Sequence, residues 1–245
     1  LKDHPVKGHW REEMFPGGSP HAPLVLELGC GKGEYTVDLA LRDPSSDYVG
    51  VDIKGARLWK GAGRVTREHI TNAAFLRTRV EFITAFFAPG EVSEIWLTFS
   101  DPQFRSENSR LTSPLFLERY RSMLKPGGVV HLKTDSMFLH RYTRAVCEVN
   151  SLRILSCTED LYGSESPSIE PEVREVQTFY EKMFREQGYD ITYLSFVIDH
   201  DGPFVSPRDP EEFDTQYWRS VEGPRLLFGH DSAETRRQKL KVAEE

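Results

Sequence analysis

The sequence predicts an α/β fold with a doubly wound, mostly parallel sheet, and three observations carry that expectation. Short apolar runs alternate with segments of helical spacing along most of the chain. The first run leads into three glycines at alternate positions and then a helix. Acidic residues follow the second and fourth runs, at the strand ends where such sheets hold ligands.

The elements follow in order. Residues 24–28 are a short apolar run that ends in the glycine turn, and 35–41 read as helical until Asp43-Pro44 stops them. Residues 48–53 make a second strand. A long basic segment comes next, broken by Gly55, Gly61 and Gly63, which predicts a helix of modest propensity. Residues 73–76 and 94–99 are the third and fourth strands. Within 112–124, Leu115, Phe116, Leu117, Tyr120 and Leu124 have helical spacing, and Pro126-Gly127-Gly128 stops that helix. Strands at 129–133 and 152–155 flank a helix at 137–149. Residues 172–187 read as one helix ended by Gly188, and the alternating stretch 189–198 suits a last strand. From Asp201 the pattern dissolves. We expect one domain over 1–200 and a peripheral C-terminal extension over 201–245, laid on the surface through Phe213, Tyr217, Trp218 and Leu227.

At 245 residues and 38% apolar, the chain can build one sizeable core. No apolar run approaches the length of a membrane span. The chain begins at Leu1 rather than Met, which leaves room for residues upstream, and no signal peptide is visible. Cys30, Cys147 and Cys157 are scattered, with no metal-ligand spacing, so a reduced cytoplasmic setting and no metal are expected. His131 and His140 likewise lack metal partners at spacing. The net charge of -7 argues against a nucleic-acid partner. Its distribution softens that: Lys54, Arg57, Lys60, Arg64, Arg67, Arg77 and Arg79 face only Glu68 in their stretch, while acid is concentrated in 159–175 and 209–214. A basic face on an acidic protein remains open beside ordinary solvated faces.

The strongest motif is Val25-Leu-Glu-Leu-Gly29-Cys-Gly31-Lys-Gly33. Glycines there permit positive φ and close backbone approach to a nucleotide. The G-x-G-x-G spacing is neither the G-x-G-x-x-G of dinucleotide binders nor a phosphate-cradling loop. With no pyrophosphate to hold, such a turn can sit against an amino-acid moiety. Glu27 stands where a sulfonium cofactor bearing an ammonium group would meet it. Asp52 ends the second strand at the spacing of an acid that holds ribose hydroxyls. Pro102 biases Asp101, after the fourth strand, toward an extended conformation that aims its carboxylate. The bland alternatives are a tight turn without ligand, a loop Asp and an Asp-Pro turn.

The blocks ELGCGKGEY, VDIKGARLW, AFLRT, EVSEIWLTFSDPQ, RLTSPLFLERYRSMLKPGG, HLKTD and TFYE, in that order, resemble the bacterial tRNA (guanine-N7-)-methyltransferase family, in particular its Bacteroidetes-type members. The resemblance covers roughly 7–196. It implies a class I methyltransferase fold, with a seven-stranded sheet whose last strand is antiparallel. It implies methyl transfer from S-adenosylmethionine to N7 of guanine-46 in the tRNA variable loop. Glu27, Gly29, Gly31, Gly33, Asp52 and Asp101 fall on cofactor-binding positions, and Asp101 also on the catalytic one. Arg105, Asp135, Thr178 and Glu181 fall on substrate-binding positions. A monomer or weak homodimer is expected.

Three departures stand out. Where the family often has an acid contacting adenine, this chain has Thr78-Arg79-Val80; the basic run after Asp-Pro is thinned to Arg105-Ser-Glu-Asn-Ser-Arg110; and the common Trp after Asp-Pro is Gln103. Thr178-Phe-Tyr-Glu181 is also a T-x-x-E capping box, so helix capping and guanine recognition both stay open. Arg105, Arg110 and the 54–67 segment are expected to hold phosphates. The rivals are a methyltransferase acting on a small molecule or protein, and a cofactor-binding subunit without catalysis.

Overall fold

The computed structural model describes residues 2–209 and 211–230. Among them, seven strands form one sheet: β1 (Leu24–Leu28), β2 (Asp47–Asp52), β3 (Ala73–Arg77), β4 (Val92–Thr98), β5 (Leu124–Thr134), β6 (Arg153–Thr158) and β7 (Thr192–Val197). Their order is β3-β2-β1-β4-β5-β7-β6. Pairings from β3 to β5 are parallel, and β7 inserts antiparallel between β5 and β6. This is the class I methyltransferase arrangement that the resemblance implies.

The central strands are buried on both faces, which explains their nearly unbroken apolar runs. Leu24, Leu26 and Leu28 of β1 pack in one core with Val49, Val51, Ile95, Leu97, Val130 and Leu132. Val25 points the other way, into a second core with Tyr48, Trp96 and Tyr193. Glu27 shares the Val25 face. The helices among the described residues are α1 (Trp10–Met14), α2 (Glu34–Arg42), α3 (Gly55–Arg67), α4 (Pro114–Met123), α5 (Met137–Val149), α6 (Pro171–Glu175), α7 (Phe179–Glu186) and α8 (Thr215–His230).

The expected single helix over 172–187 is two. Lys133 on β5 is fully buried, and its ammonium donates to the carbonyls of Val173 at 2.6 Å and Val176 at 2.9 Å. A continuous helix would spend the Val173 carbonyl on its own Gln177 N–H. The chain extends instead at Val176, and α7 restarts after Thr178, whose hydroxyl accepts from Glu181 N–H at 3.1 Å.

Part of the C-terminal extension packs on the domain. Trp218 joins Phe104 and Phe138 in a small cluster against which Phe213 packs, while Tyr217 is exposed. Glu222 of α8 accepts from Ser136 Oγ at 2.6 Å and from Phe138 N–H at 3.1 Å, at the start of α5. Residues 231–245 of the extension, and the side chain of Leu227, lie outside the described residues. No helix among the described residues is long and apolar enough to cross a membrane.

Candidate active site

Strand order reverses at β1, with β2 and β3 on one side and β4 and β5 on the other. Loops leaving β1 and β4 part in opposite directions and open a crevice beyond the strands' carboxyl ends. A cleft of about 830 Å³, counting its solvent-filled mouth, lies there. Glu27, Gly29, Gly31, Asp101, Asp135 and Thr178 line it, brought together from most of the chain's length.

The three glycines of the first turn have φ of 79°, 57° and 71° at Gly29, Gly31 and Gly33. Their roles differ. A Cβ on Gly29 or Gly31 would meet no atom within 4 Å, so the turn is open on the cleft side. A Cβ on Gly33 would lie 2.3 Å from the Phe75 ring, so that glycine serves the packing of the turn. Asp52 braces the turn from β2: its carboxylate accepts from Gly31 N–H at 3.0 Å and from Lys54 N–H at 2.7 Å. Each oxygen keeps a further acceptor site. Asp52 borders an adjoining cavity that shares Gly29 with the cleft and also meets Thr78, Arg79 and Glu81. Arg79, standing where the family often has an acid, pairs with Glu81 at 3.0 Å.

Glu27 is 4% exposed at the end of β1. Its carboxylate accepts from Thr36 N–H at 2.8 Å, from the Thr36 hydroxyl, and from Thr98 Oγ1 at 2.5 Å. Burial pushes this carboxyl up to about 7, against the lowering effect of those hydrogen bonds.

The β4 loop forms the opposite wall. Phe99 leaves the strand with φ of 51°, a conformation uncommon for an aromatic residue, while its N–H is held by the Lys133 carbonyl at 2.8 Å. Strain of this kind concentrates at functional sites. Ser100 Oγ, buried at the cleft, has no hydrogen-bond partner among the described residues. Asp101 is exposed, and its Oδ1 accepts from Gln103 N–H at 2.8 Å. Arg105 is exposed on the same loop, outside the cleft lining.

Arg110 does not stand where a phosphate could meet it. It is 5% exposed, donates to the Pro102 carbonyl at 3.2 Å and lies over the rings of Phe138 and Tyr142 at 4.8 and 4.4 Å. It braces the Asp101 loop from below, because a planar guanidinium stacks on aromatic rings while its N–H groups serve a carbonyl.

Of the T-x-x-E residues, Thr178 lines the cleft and caps α7, and Tyr180 lines it too. Glu34 of α2 accepts from Phe179 N–H at 2.9 Å, which seats the start of α7 beside the glycine turn. Lys32 lies 5.4 Å from the Phe179 ring and 5.8 Å from that of Tyr180. Glu181 is fully buried and faces inward: its carboxylate meets Lys133 Nζ at 2.8 Å and the Tyr162 hydroxyl at 2.5 Å. Burial pulls the Lys133 ammonium down to about 8, against the raising effect of Glu181. Asp135, at the end of β5, is 9% exposed and borders the cleft.

Lys32, Glu34, Thr98, Phe99, Ser100 and Phe184 also line the cleft although the sequence does not mark them as site residues, and Arg57, from the segment expected to hold phosphates, lines it too. Thr98 and Ser100 directly precede Asp101 at the strand end, so the Leu97-to-Gln103 block held a signal for them. Nothing in the sequence pointed to Phe184, which reaches the cleft only through the packing of α7.

Residues 21–194 match a family model described as "Putative methyltransferase". A tRNA (guanine-N(7)-)-methyltransferase of Bacteroides thetaiotaomicron is 47% identical over 209 residues, 85% of this chain and 81% of that protein. One of Porphyromonas gingivalis is 44% identical over 222 residues, 90% of this chain and 88% of that protein. Among solved structures, the antibiotic-resistance methyltransferase Kmr superposes with a TM-score of 0.52 at 18% identity, covering 74% of this chain and 88% of that one, which bears on the fold alone. Identity of this extent across the cleft and the strands that build it makes the chain a member of the tRNA (guanine-N(7)-)-methyltransferase family.

Proposed function

We propose that this enzyme transfers the methyl group of S-adenosylmethionine to N7 of guanine-46 in the tRNA variable loop. One observation carries the assignment of roles: a single cleft is lined by an open glycine turn with Glu27 and also by Asp101, Asp135 and Thr178.

The residues present fit the cofactor. Gly29 and Gly31 leave space where a side chain would intrude, Glu27 offers a buried carboxylate for an ammonium group, and Asp52 has acceptor sites for ribose hydroxyls. When bound, S-adenosylmethionine supplies a methyl on a sulfonium sulfur that leaves with the bonding pair. Guanine N7 carries an in-plane lone pair, so no general base is required. The protein's task is to align N7, which can lower a barrier by several kcal/mol (about 7 at the low end of measured intramolecular cases). Methylation makes the ring cationic, and Asp101 and Asp135 place carboxylates where that charge develops. Thr178 and Tyr180 border the base, and Glu181 holds the start of α7 through Lys133. Arg105 and the basic segment of α3 meet phosphates.

The test is transfer of tritiated methyl into unmodified tRNA transcripts, with a guanine-46→adenine transcript alongside. Label recovered as 7-methylguanosine only from the intact transcript is the expected result. Label in both transcripts removes the position, and no label in either removes the tRNA substrate. A methyltransferase acting on a smaller substrate is the second reading; the inward-facing Arg110 favours it, since it leaves the loop after Asp101 with less basic surface.

Glu27 also makes cofactor affinity depend on pH. Its folded-state value of about 7 lies above the ordinary 4.5. The stability it contributes is therefore complete below 4.5 and lost as pH rises through about 7, because only the folded chain keeps the proton in between. An ammonium ligand needs the ionised form and itself keeps its proton only below about 8, so S-adenosylmethionine binding should tighten about fivefold as pH rises from 6 to 7 and then level off, by the pairing of opposite charges. Calorimetric titration across this range checks it, and Glu27→Gln should flatten the profile. A wild-type affinity constant over that range would remove the ammonium contact.

A further inference from the structure

Trp59 is the most exposed large hydrophobic side chain among those described, at 76%, on the second turn of α3. Trp10, Trp96 and Trp218 are all buried, at 9% exposure or less. Trp59 is thus the one tryptophan whose ring is free to meet a ligand from solvent, and aromatic rings of this kind serve as contact points at interfaces. Lys54, Lys60 and Arg67 are exposed on or at the start of the same helix, Arg77 is exposed beside its Gly55, and the first turn of α3 has no acidic residue. Among the described residues, none of these four cations makes an ion pair; Arg64, which does, pairs with Asp38 and Glu68. On the helix surface, Trp59 and Lys60 each neighbour Gly63, which neighbours Arg67. A Cβ on Gly63 would meet only the Arg67 guanidinium, at 3.3 Å, so there is open space one turn along from the indole. Exposed Ile53 precedes the helix, and Arg57, on another side of the same helix, lines the cleft, so α3 runs beside the cleft.

An exposed aromatic ring on a helix that carries cations without ion pairs complements a strand whose phosphates are anionic and whose bases offer π-faces. We propose that the outer face of α3 binds an unpaired stretch of the RNA substrate, with one base stacked on Trp59 and the neighbouring phosphates held by Lys54, Lys60, Arg67 and Arg77. The proposal rests on tRNA being the substrate. It adds a contact away from the reacting guanine that sets affinity rather than rate. Stacking accounts for one part of that affinity and charge for the other, and salt separates them.

The full-length protein is titrated with unmodified tRNA transcript while tryptophan emission is followed. Because the other tryptophans are buried, the RNA-dependent quench belongs to Trp59 and should vanish in Trp59→Phe, whose ring can still stack on a base. Trp59→Ala should raise KM for tRNA about tenfold, with kcat at saturating tRNA held within about twofold and the salt dependence of KM unaltered. Lys60→Ala should instead lower the salt slope by about one ion. If the wild type methylates tRNA with no change in Trp59 emission, and Trp59→Ala has the wild-type KM, the proposal is overturned while the enzyme's substrate stands. A quench that follows protein concentration rather than RNA would overturn it in favour of a second copy of the chain on this face. A wild type that labels no tRNA would remove the substrate and this surface together.

Discussion

Replacing Asp101 with asparagine should lower kcat for tRNA methylation about a hundredfold, at the low end of the effect of deleting a preorganised electrostatic contact. The substitution isolates charge. Asparagine keeps an oxygen that can accept from Gln103 N–H, as Asp101 Oδ1 does at 2.8 Å. The extended backbone before Pro102 and the Arg110 bond to the Pro102 carbonyl do not depend on the carboxylate. What is lost is a negative charge beside a ring that becomes cationic as it is methylated. Single-turnover rates at saturating cofactor and tRNA measure that step without product release. A rate near that of the wild type would strip Asp101 of the role and pass it to Asp135, which lines the same cleft.

The largest effect on stability should come from Lys133→Met. Lys133 and Glu181 are both fully buried, 2.8 Å apart. Removing one partner leaves the other's charge uncompensated in a medium that solvates it poorly, a loss of about 3–5 kcal/mol in comparable buried pairs. The two backbone carbonyls that Lys133 serves also lose their donor. Lys133→Met combined with Glu181→Gln should regain most of that loss, because no buried charge is then left alone. Urea unfolding of wild type, single and double variants forms the cycle that measures it. The single variant should also raise KM for tRNA, since Thr178 and Tyr180 reach the cleft from the segment that Lys133 anchors. Equal stability of wild type and Lys133→Met would mean that the pair contributes nothing.

Local chemistry was legible in the sequence wherever it depended on neighbours in the chain. Glycines at alternate positions after an apolar run specify a turn with positive φ, because other residues pay a steric cost there, and the structure has all three glycines in that conformation. The seven strands follow from apolar runs between turn signals, and Asp52 closes β2 while Asp101 lies three residues beyond β4, as the ends of those runs imply. The family blocks carried the antiparallel last strand, which periodicity alone does not determine.

Tertiary structure decided what depends on residues far apart in the chain. The split between α6 and α7 is set by Lys133, some 40 residues earlier on β5, competing for helix carbonyls. Spacing shows a continuous helical stretch there because the competitor is not in it. Arg110 belongs to a basic stretch by sequence, yet Phe138 and Tyr142 bring it inside, and burial is a property of the packed neighbours rather than of the residue. Glu181 reads as a partner for substrate or for a helix cap until Lys133 and Tyr162 claim its carboxylate. The three glycines look alike as letters, and only Phe75, reaching over from β3, separates the one that packs from the two that leave the cleft open. Chain-local geometry thus determined the turn and the acids that border it, while long-range packing determined which charges face the cleft and which hold it in shape.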